Sequence, residues 1–456
     1  MENYDVIIIG AGTSGSYFGS KLAEKGFKVL IIDKLSEEKI GTKYDIFHIV
    51  KKDFERFNLP YPEKGNDYAF EFSDNATYSA FGNYPKKGRN HVIGMHLHLY
   101  TLRLNHWAQA KGCVLKYNAS FKDFIFKNRK IAGIKYQENG NEIAVFGKLI
   151  ADCSGIASVA RTHLPDDYGV ENFIIKKEEM FYVILRYVRY LDESDYLNGS
   201  RSWPYYKTWE APQPDPAGAI LGIGANLSFG FAEKIYKEFE TKIQLPQYKL
   251  QHKEKGVTPY RRPPYSFVAD NFIVMGDAAC LTKPHAGEGI TSSMVQIDIA
   301  SEVVENLLKE NKELTKENLW PINKKYIEAQ GKTYAGMLAT LVGAVSTTPK
   351  ENDFFFKHDI IFSTKSFALM AADQELKFSF KEILRIAFKL LGGVFSGKVK
   401  IRTIRSLLKA MKNGTRISKH YHKFPSDPAD FPLWVKHAEK IWISCGSMAE
   451  SLNKIN

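Results

Sequence analysis

The chain has 456 residues, 44% hydrophobic and 25% charged, a globular composition with length for two or three domains. Its formal charge of +12 calls for nucleic acid, an anionic membrane surface or an acidic soluble partner; nucleic acid fits less well, since no aromatic-basic motif of a known RNA or DNA module occurs, and none is expected as a partner. The four cysteines, Cys113, Cys153, Cys280 and Cys445, form no CxxC pair and no zinc spacing, so the expectation is a reducing, cytoplasmic setting with no metal.

The first predicted strand begins at Tyr4, which leaves no room for a signal peptide. Val6 to Ile9 is an apolar run that breaks into Gly10, Gly12 and Gly15. An amphipathic segment follows, then a second apolar run, Val29 to Ile32, closed by Asp33. This is strand, tight turn, helix, strand. Gly10 allows the turn, Gly12 lets backbone approach a pyrophosphate, and Gly15 lets the helix pack on the sheet. The helix start at Thr13 and Ser14 offers unpaired N–H groups to the phosphates. Asp33, with Lys34 beside it, is placed to accept from the adenosine ribose hydroxyls. The chain is expected to bind a dinucleotide, NAD or FAD.

Residues 39–49 read as a loop that holds two titratable groups, Asp45 and His48. Residues 68–80 alternate like a strand, with Asn75 as the turn signal, so a small sheet is expected to start here. Leu97, Tyr100, Leu104, Trp107 and Ala108 share the face of a helix over 97–112 that Gly112 stops. Arg103 lies off that face, either as a solvated charge or as a guanidinium fork for a phosphate oxygen. A strand near Val114, a hairpin over 124–136 with its turn at 127–129, and a strand over 145–151 follow. The last ends in DCSGIASVAR, residues 152–161, which reads as a helix start and a second meeting of backbone and cofactor.

From 162 to 257 the chain is rich in aromatic, alternating strands, 182–190 and 219–227 among them, with one helix over 232–241. Between the two strands, SWPYYKTWEAPQPDP (202–216) reads as an apolar wall on a stiff backbone. A strand over 271–275 then runs into Gly276-Asp277, and the loop Pro284-His285-Ala286-Gly287-Glu288-Gly289 opens a long helix near Ile290. Asp277 can accept from a ribitol or ribose hydroxyl, and the bare loop presents a helix N-terminus to negative charge. A Rossmann start followed some 240 residues later by a Gly-Asp segment matches two-domain flavoproteins and favours FAD over NAD. Beyond 309 the chain is mostly helical. Its most apolar run, 337–345, is interrupted by Thr340 and Gly343 and falls short of a membrane span. Residues 377–423 interleave thirteen Lys and Arg with Phe, Leu, Ile and Val against the lone acid Glu382, a pattern suited to anionic lipid.

GAGTSG, Arg103 in LYTLR, YRRPPY before the Gly-Asp pair, PHAGEGITSSM and FPSDPADFPLW at 424–434 together resemble the archaeal geranylgeranyl reductase family, a branch of the FAD enzymes that includes aromatic hydroxylases and flavin halogenases. The resemblance implies an α/β fold: a Rossmann-like FAD-binding domain (1–70, 91–161 and 258–310), an inserted antiparallel-sheet substrate domain (71–90 and 162–257) and a helical C-terminal region (311–456). It implies FAD contacts at Gly10, Gly12, Gly15, Asp33, Arg103, Asp277, Gly287, Gly289 and Ile290, to which Thr13, Ser14, Lys34, Asp45, His48 and Glu288 are added as neighbours. It implies saturation of geranylgeranyl double bonds on archaeal lipids or on the free diphosphate, with reduced ferredoxin or NAD(P)H as donor, on the inner face of the membrane.

Two departures stand out. Asp45-Ile46 replaces the family's Cys-Gly pair. Of its Tyr-x-Trp-x-Phe-Pro and Gly-x-Gly motif only Trp209, Pro212, Gly222 and Gly224 fit, with Lys207 and Ala211 in place of Tyr and Phe. Tyr205, Tyr206, Trp209, Pro212, Gly222 and Gly224 are expected to line the substrate, and Asp45 or His285 to lie on the proton path. The main rival is an FAD monooxygenase of an aromatic or prenylated substrate; a flavin- and lipid-binding protein without turnover is the other.

Overall fold

The computed structural model describes residues 2–41, 46–204, 207–344, 347–374, 376 and 378–446. In chain order, β1 (Asn3–Ile9), α1 (Thr13–Ala23) and β2 (Val29–Ile32) form the expected opening unit. β3 (Ile46–Val50), α2 (Lys51–Arg56), β4 (Tyr68–Thr77) and β5 (Lys86–His96) lead to α3 (Leu97–Ala110). β6 (Val114–Lys116), β7 (Ala119–Lys127), β8 (Lys130–Glu138) and β9 (Asn141–Asp152) follow, then β10 (Met180–Tyr190), β11 (Gly199–Trp203), β12 (Thr208–Pro212) and β13 (Gly218–Ala225). After α4 (Phe229–Ile243) come β14 (Tyr248–Pro259), β15 (Val268–Ala269), β16 (Phe272–Val274) and α5 (Ile290–Lys309). The remainder is helical: α6 (Lys316–Tyr326), α7 (Lys332–Ala344), α8 (Pro349–Lys357), α9 (Thr364–Ala371), α10 (Phe380–Phe395), α11 (Ile401–Tyr421) and α12 (Phe431–Cys445).

The first sheet runs β15-β16-β9-β1-β2-β6, with β8 and β7 added to β9 as an antiparallel flap. β1 lies parallel to both β2 and β9. Val6, Ile7 and Ile8 are fully buried, the mark of a parallel strand covered on both faces. The β7-β8 hairpin turns on Asn128 and Arg129, both at positive φ (51° and 64°), as a two-residue turn between right-twisted strands demands.

The second sheet runs β14-β10-β13-β12-β11-β4-β5-β3. On one face α4 packs Ala232, Ile235, Tyr236 and Phe239 against alternate residues of β10 and β13. Ser228 starts α4 by accepting from the Phe231 N–H, and Gln244 ends it in the left-handed region.

Several expectations are corrected. Ile46–Val50 is an edge strand bonded to β5, not loop. β4 runs straight through Asn75, which pairs with Gly88; the turn falls after Thr77. All three strands between Ile46 and His96 join the second sheet, so the sheets part at those residues rather than at 71 and 90. After β9 there is no α-helix start, only short 3-10 turns at Gly155–Ala157 and Arg161–His163. Among the described residues no helix is long and apolar enough to cross a membrane.

The C-terminal helices are joined to the core through Trp320 of α6. Its ring stacks on Phe424 at 5.4 Å and its indole N–H donates to the Pro425 carbonyl at 3.0 Å. Trp320→Ala is expected to lower unfolding stability by about 3–5 kcal/mol, read by chemical denaturation.

Candidate functional site

Three segments distant in sequence meet at glycines. Gly10 sits at φ +109°, and a Cβ there would collide with the Cys153 carbonyl; one at Gly15 would collide with the Gly10 carbonyl. A Cβ at Gly276 would come within 2.5 Å of Ser14 Oγ, and one at Gly289 within 2.9 Å of Asp277 Oδ1. The tips of β1, β9 and β16 and the starts of α1 and α5 are thereby drawn together.

Gly12 differs from the others. A Cβ on it would meet nothing within 4 Å, so its lack of a side chain answers to no neighbour in the chain. It is the N-cap of α1, with no side-chain cap and no acid in the first turn, so the N–H groups at Thr13 and Ser14 have no capping side chain. This is a cradle fitted to a pyrophosphate. Asp33, at the end of β2, accepts from the Ala11 N–H and the Leu35 N–H, both at 2.8 Å. It holds the glycine turn and keeps lone pairs for a ribose hydroxyl. Lys34 beside it is exposed.

Asp152, fully buried, anchors the second segment by accepting from Ser154 N–H and Oγ, Ala160 N–H and Arg161 N–H. Burial raises its pKa. Arg161, also fully buried, donates to the carbonyls of Ala278, Glu171 and Phe173 and so fixes the turn that carries Asp277. Its role was not read from the sequence, although it closes the DCSGIASVAR stretch. In the 284–289 loop Gly287 takes φ +74°. Glu288 folds back to accept from the N–H and hydroxyl of Thr291, both at 2.7 Å, and lies 3.3 Å from the Lys283 ammonium. Its carboxylate therefore caps α5 just ahead of Ile290.

Arg103 is not brought to the glycine turn. Its fork grips Asp67 through Nε (2.5 Å) and Nη2 (3.0 Å), and Nη1 donates to Glu63 at 2.9 Å. Both carboxylates raise its pKa. His48 lies between Phe70 and Phe72, at ring distances of 5.5 and 5.9 Å, with its Nε2 sealed from solvent and unpartnered. Burial lowers its pKa to about 4, so the ring is neutral. Asp45, Tyr205 and Tyr206 lie outside the described residues.

The face of the second sheet opposite α4 is apolar. Ile46, Phe70, Leu185, Tyr187, Ala211 and Ile220 form its buried patch, edged by the half-buried Phe72, Val183 and Trp209. The register pairs Trp209 with Gly222, where a Cβ would collide with the indole, so glycine lets the ring lie flat across the neighbouring strand. Gly224, two residues on along the same face, leaves space next to Lys207 and Phe181. Pro212 closes β12.

Lys207 was noted in the sequence only as a departure, and the structure makes it prominent. It sits at φ +47°, and its ammonium donates to the Pro284 carbonyl at 3.0 Å between the rings of Phe181 (4.9 Å) and Tyr260 (5.3 Å). Burial lowers its pKa to about 7. On the same loop, His285 has a buried Nδ1 with no partner. Burial, reinforced by the charges of Lys207 and Lys283 and opposed by Asp373, keeps its ring neutral. Asp373 itself pairs with Lys283 at 3.1 Å through one oxygen and leaves the other unpartnered. A basic, half-satisfied cluster thus adjoins an apolar floor.

Known proteins resemble this chain in sequence and in fold. Residues 8–47 match the model of the NAD(P)-binding Rossmann-like domain. The chain is 22% identical to the digeranylgeranylglycerophospholipid reductase of Sulfolobus acidocaldarius, over 96% of this chain and 97% of that one. It is 24% identical to the same-named enzyme of Methanothrix thermoacetophila, over 73% and 85%. Among solved structures, a geranylgeranyl bacteriochlorophyll reductase-like protein from Thermoplasma acidophilum superposes with a TM-score of 0.71 at 18% identity, covering 87% of this chain and 98% of that one. The p-nitrophenol 4-monooxygenase of Pseudomonas putida gives 0.63 at 15%, covering 82% and 98%. The fold is that of the two-domain flavoproteins, and the resemblance to the geranylgeranyl reductases extends over nearly the whole chain.

Gly12 and Gly15 separate fold from ligand. Gly12→Ala is expected to leave the melting temperature of the flavin-free protein unchanged and to weaken FAD binding by about tenfold or more, whereas Gly15→Ala lowers the melting temperature with or without flavin. Calorimetry and flavin titration check both.

Proposed function

We propose that this protein is an FAD-dependent reductase that saturates isolated double bonds in the geranylgeranyl chains of a glycerophospholipid. The observation that carries the reading is the apolar floor, with Trp209 laid flat on Gly222, next to a buried ammonium on Lys207. An unactivated alkene has no carbonyl to share developing charge, so its reduction requires a dry site, a chain held in place and a proton close at hand.

Reduced FAD held in this cradle would supply the hydride, and reduced ferredoxin or NAD(P)H would replenish its electrons. The chain's residues do the rest. The cradle at Gly12 and Asp33 holds the dinucleotide, with Asp277, Gly287 and Gly289 at its other end. The floor from Ile46 to Ile220 holds the prenyl chain and excludes water. Lys207 Nζ holds the proton that goes to the second alkene carbon. His285, neutral and unpartnered at Nδ1, passes a replacement proton inward. Asp45, which in sequence replaces the family's thiol, is the other candidate for proton delivery. The names of the relatives support the lipid over the free diphosphate as substrate.

Reduced protein incubated without oxygen should add two hydrogens per double bond to a digeranylgeranylglyceryl phospholipid, followed by product mass. Consumption of oxygen and NAD(P)H with incorporation of an oxygen atom would assign the monooxygenase reaction instead. Because Lys207 loses its proton as pH rises through about 7, kcat should fall above that pH. Lys207→Met should remove that limb and lower kcat about 100-fold or more. If Lys207→Met, His285→Ala and Asp45→Asn all turn over at the wild-type rate, the proton path is wrong.

A further inference from the structure

α10 carries two apolar faces and uses only one. Ile386, Leu390 and Gly393 turn inward against Phe354, Phe355, Ile360, Val399 and Leu407. Gly393 is needed there, because a Cβ would come within 2.9 Å of both the Val399 methyl and the Phe354 ring. The adjoining arc holds Phe380, Ile383, Leu384, Phe388, Leu391 and Phe395, all exposed; Phe388 is 76% and Phe395 89% open to solvent. At 3.6 residues per turn these six occupy an arc of about 140°. So long an unbroken apolar stripe is not scattered surface hydrophobicity but an unpartnered face.

The flank of that stripe is basic. Lys381, Arg385 and Lys389 follow one another at i, i+4 and i+8 along α10, and all are exposed. Lys398 and Lys400 in the connection, then Arg402, Arg405, Lys409, Lys412 and Arg416 on α11, extend the positive surface beside exposed Ile401 and Leu408. None of these ten cations forms an ion pair with a described residue; Arg385 donates only to the carbonyls of His358 and Asp359. Ten unneutralised charges beside a bare apolar face match a surface that is both oily and negative.

The geometry points to an anionic lipid bilayer as the occupant: α10 lies in the interface, with the Phe380–Phe395 stripe sunk into the acyl boundary and the basic flank against the head groups. A second copy of this chain is disfavoured, because it would bring ten like charges together. The position also serves the site. Asp373, paired at 3.1 Å with Lys283 just ahead of the 284–289 loop, is followed seven residues later by Phe380, and seven residues span at most about 25 Å. The stripe therefore starts within about 25 Å of the buried cluster beside the apolar floor.

The test uses the full-length flavin-loaded protein and extruded vesicles of phosphatidylcholine with or without phosphatidylglycerol, read by sedimentation, so it does not depend on any reaction. Wild-type protein should bind the anionic vesicles about tenfold or more tightly than the neutral ones and less tightly as salt rises. Phe388→Glu with Phe395→Glu should reduce vesicle binding about tenfold or more while leaving melting temperature and flavin content unchanged, because both side chains are already exposed. A tryptophan placed by Phe388→Trp should be quenched by brominated acyl chains. Equal binding to neutral and anionic vesicles, or an unaffected double variant, would overturn the proposal, as would a dimer in solution that the double variant dissociates. Anaerobic reduction of a detergent-dispersed prenyl substrate should be the same in both proteins; loss of vesicle binding with that activity intact separates this surface from the chemistry.

Discussion

Close approach of backbone to backbone is the constraint on which everything else rests. The Gly10 and Cys153 carbonyl contact joins β1 to β9, the Gly15 and Gly10 contact seats α1, and the Gly276 and Ser14 contact brings in a segment from the other end of the nucleotide-binding half. The first two, made to backbone carbonyls, do not survive the addition of one carbon atom, and the third is made to the Ser14 side chain. They are short because the site must gather several helix and strand ends around one elongated ligand, and main chain alone can be gathered that tightly. Buried Asp152 and Arg161 hold the arrangement from behind, using side-chain hydrogen bonds where no regular structure is available to satisfy the loop.

The second sheet applies the same device to a different end. At Gly222 and Gly94 the missing side chains are filled by the rings of Trp209 and Phe70, so aromatic groups lie along the sheet instead of standing on it. The result is a broad apolar surface on one side and a conventional core under α4 on the other. The departures from the family motif become intelligible here. Ala211 is part of the buried patch, and Lys207 adds a charge where the patch meets the nucleotide-binding half.

The opening unit was legible because its apolar runs are buried on both faces and its glycines fall at fixed offsets. The long helix after residue 289 and the hairpin at Asn128-Arg129 were legible for similar local reasons. β3 was not, because five residues at a sheet edge carry too short an alternation to stand out from a charged loop. Arg103 could be placed on the polar side of its helix, but its partner Asp67 lies 36 residues upstream and only the fold brings it near. Lys207 sits among tyrosines and reads as an ordinary surface lysine; its enclosure depends on Phe181, Tyr260 and Pro284, from three different elements. The basic amphipathic pattern of α10 and α11 was plain, but with apolar residues on both arcs of α10 the sequence alone does not say which arc is packed.

Enclosing Lys207 has a cost that belongs to the fold as a whole. Its ammonium loses hydration on folding, so the folded chain binds that proton less tightly than the unfolded chain does, with a pKa of about 7 against an ordinary value of 10.5. Between those two values the unfolded ensemble carries the extra proton, and the free energy of unfolding rises with pH; below about 7 the full penalty is present, and above 10.5 it has vanished. The folded chain therefore holds the Lys207 proton less firmly than the unfolded chain does, and enclosure of that one side chain makes the stability of the whole protein depend on pH.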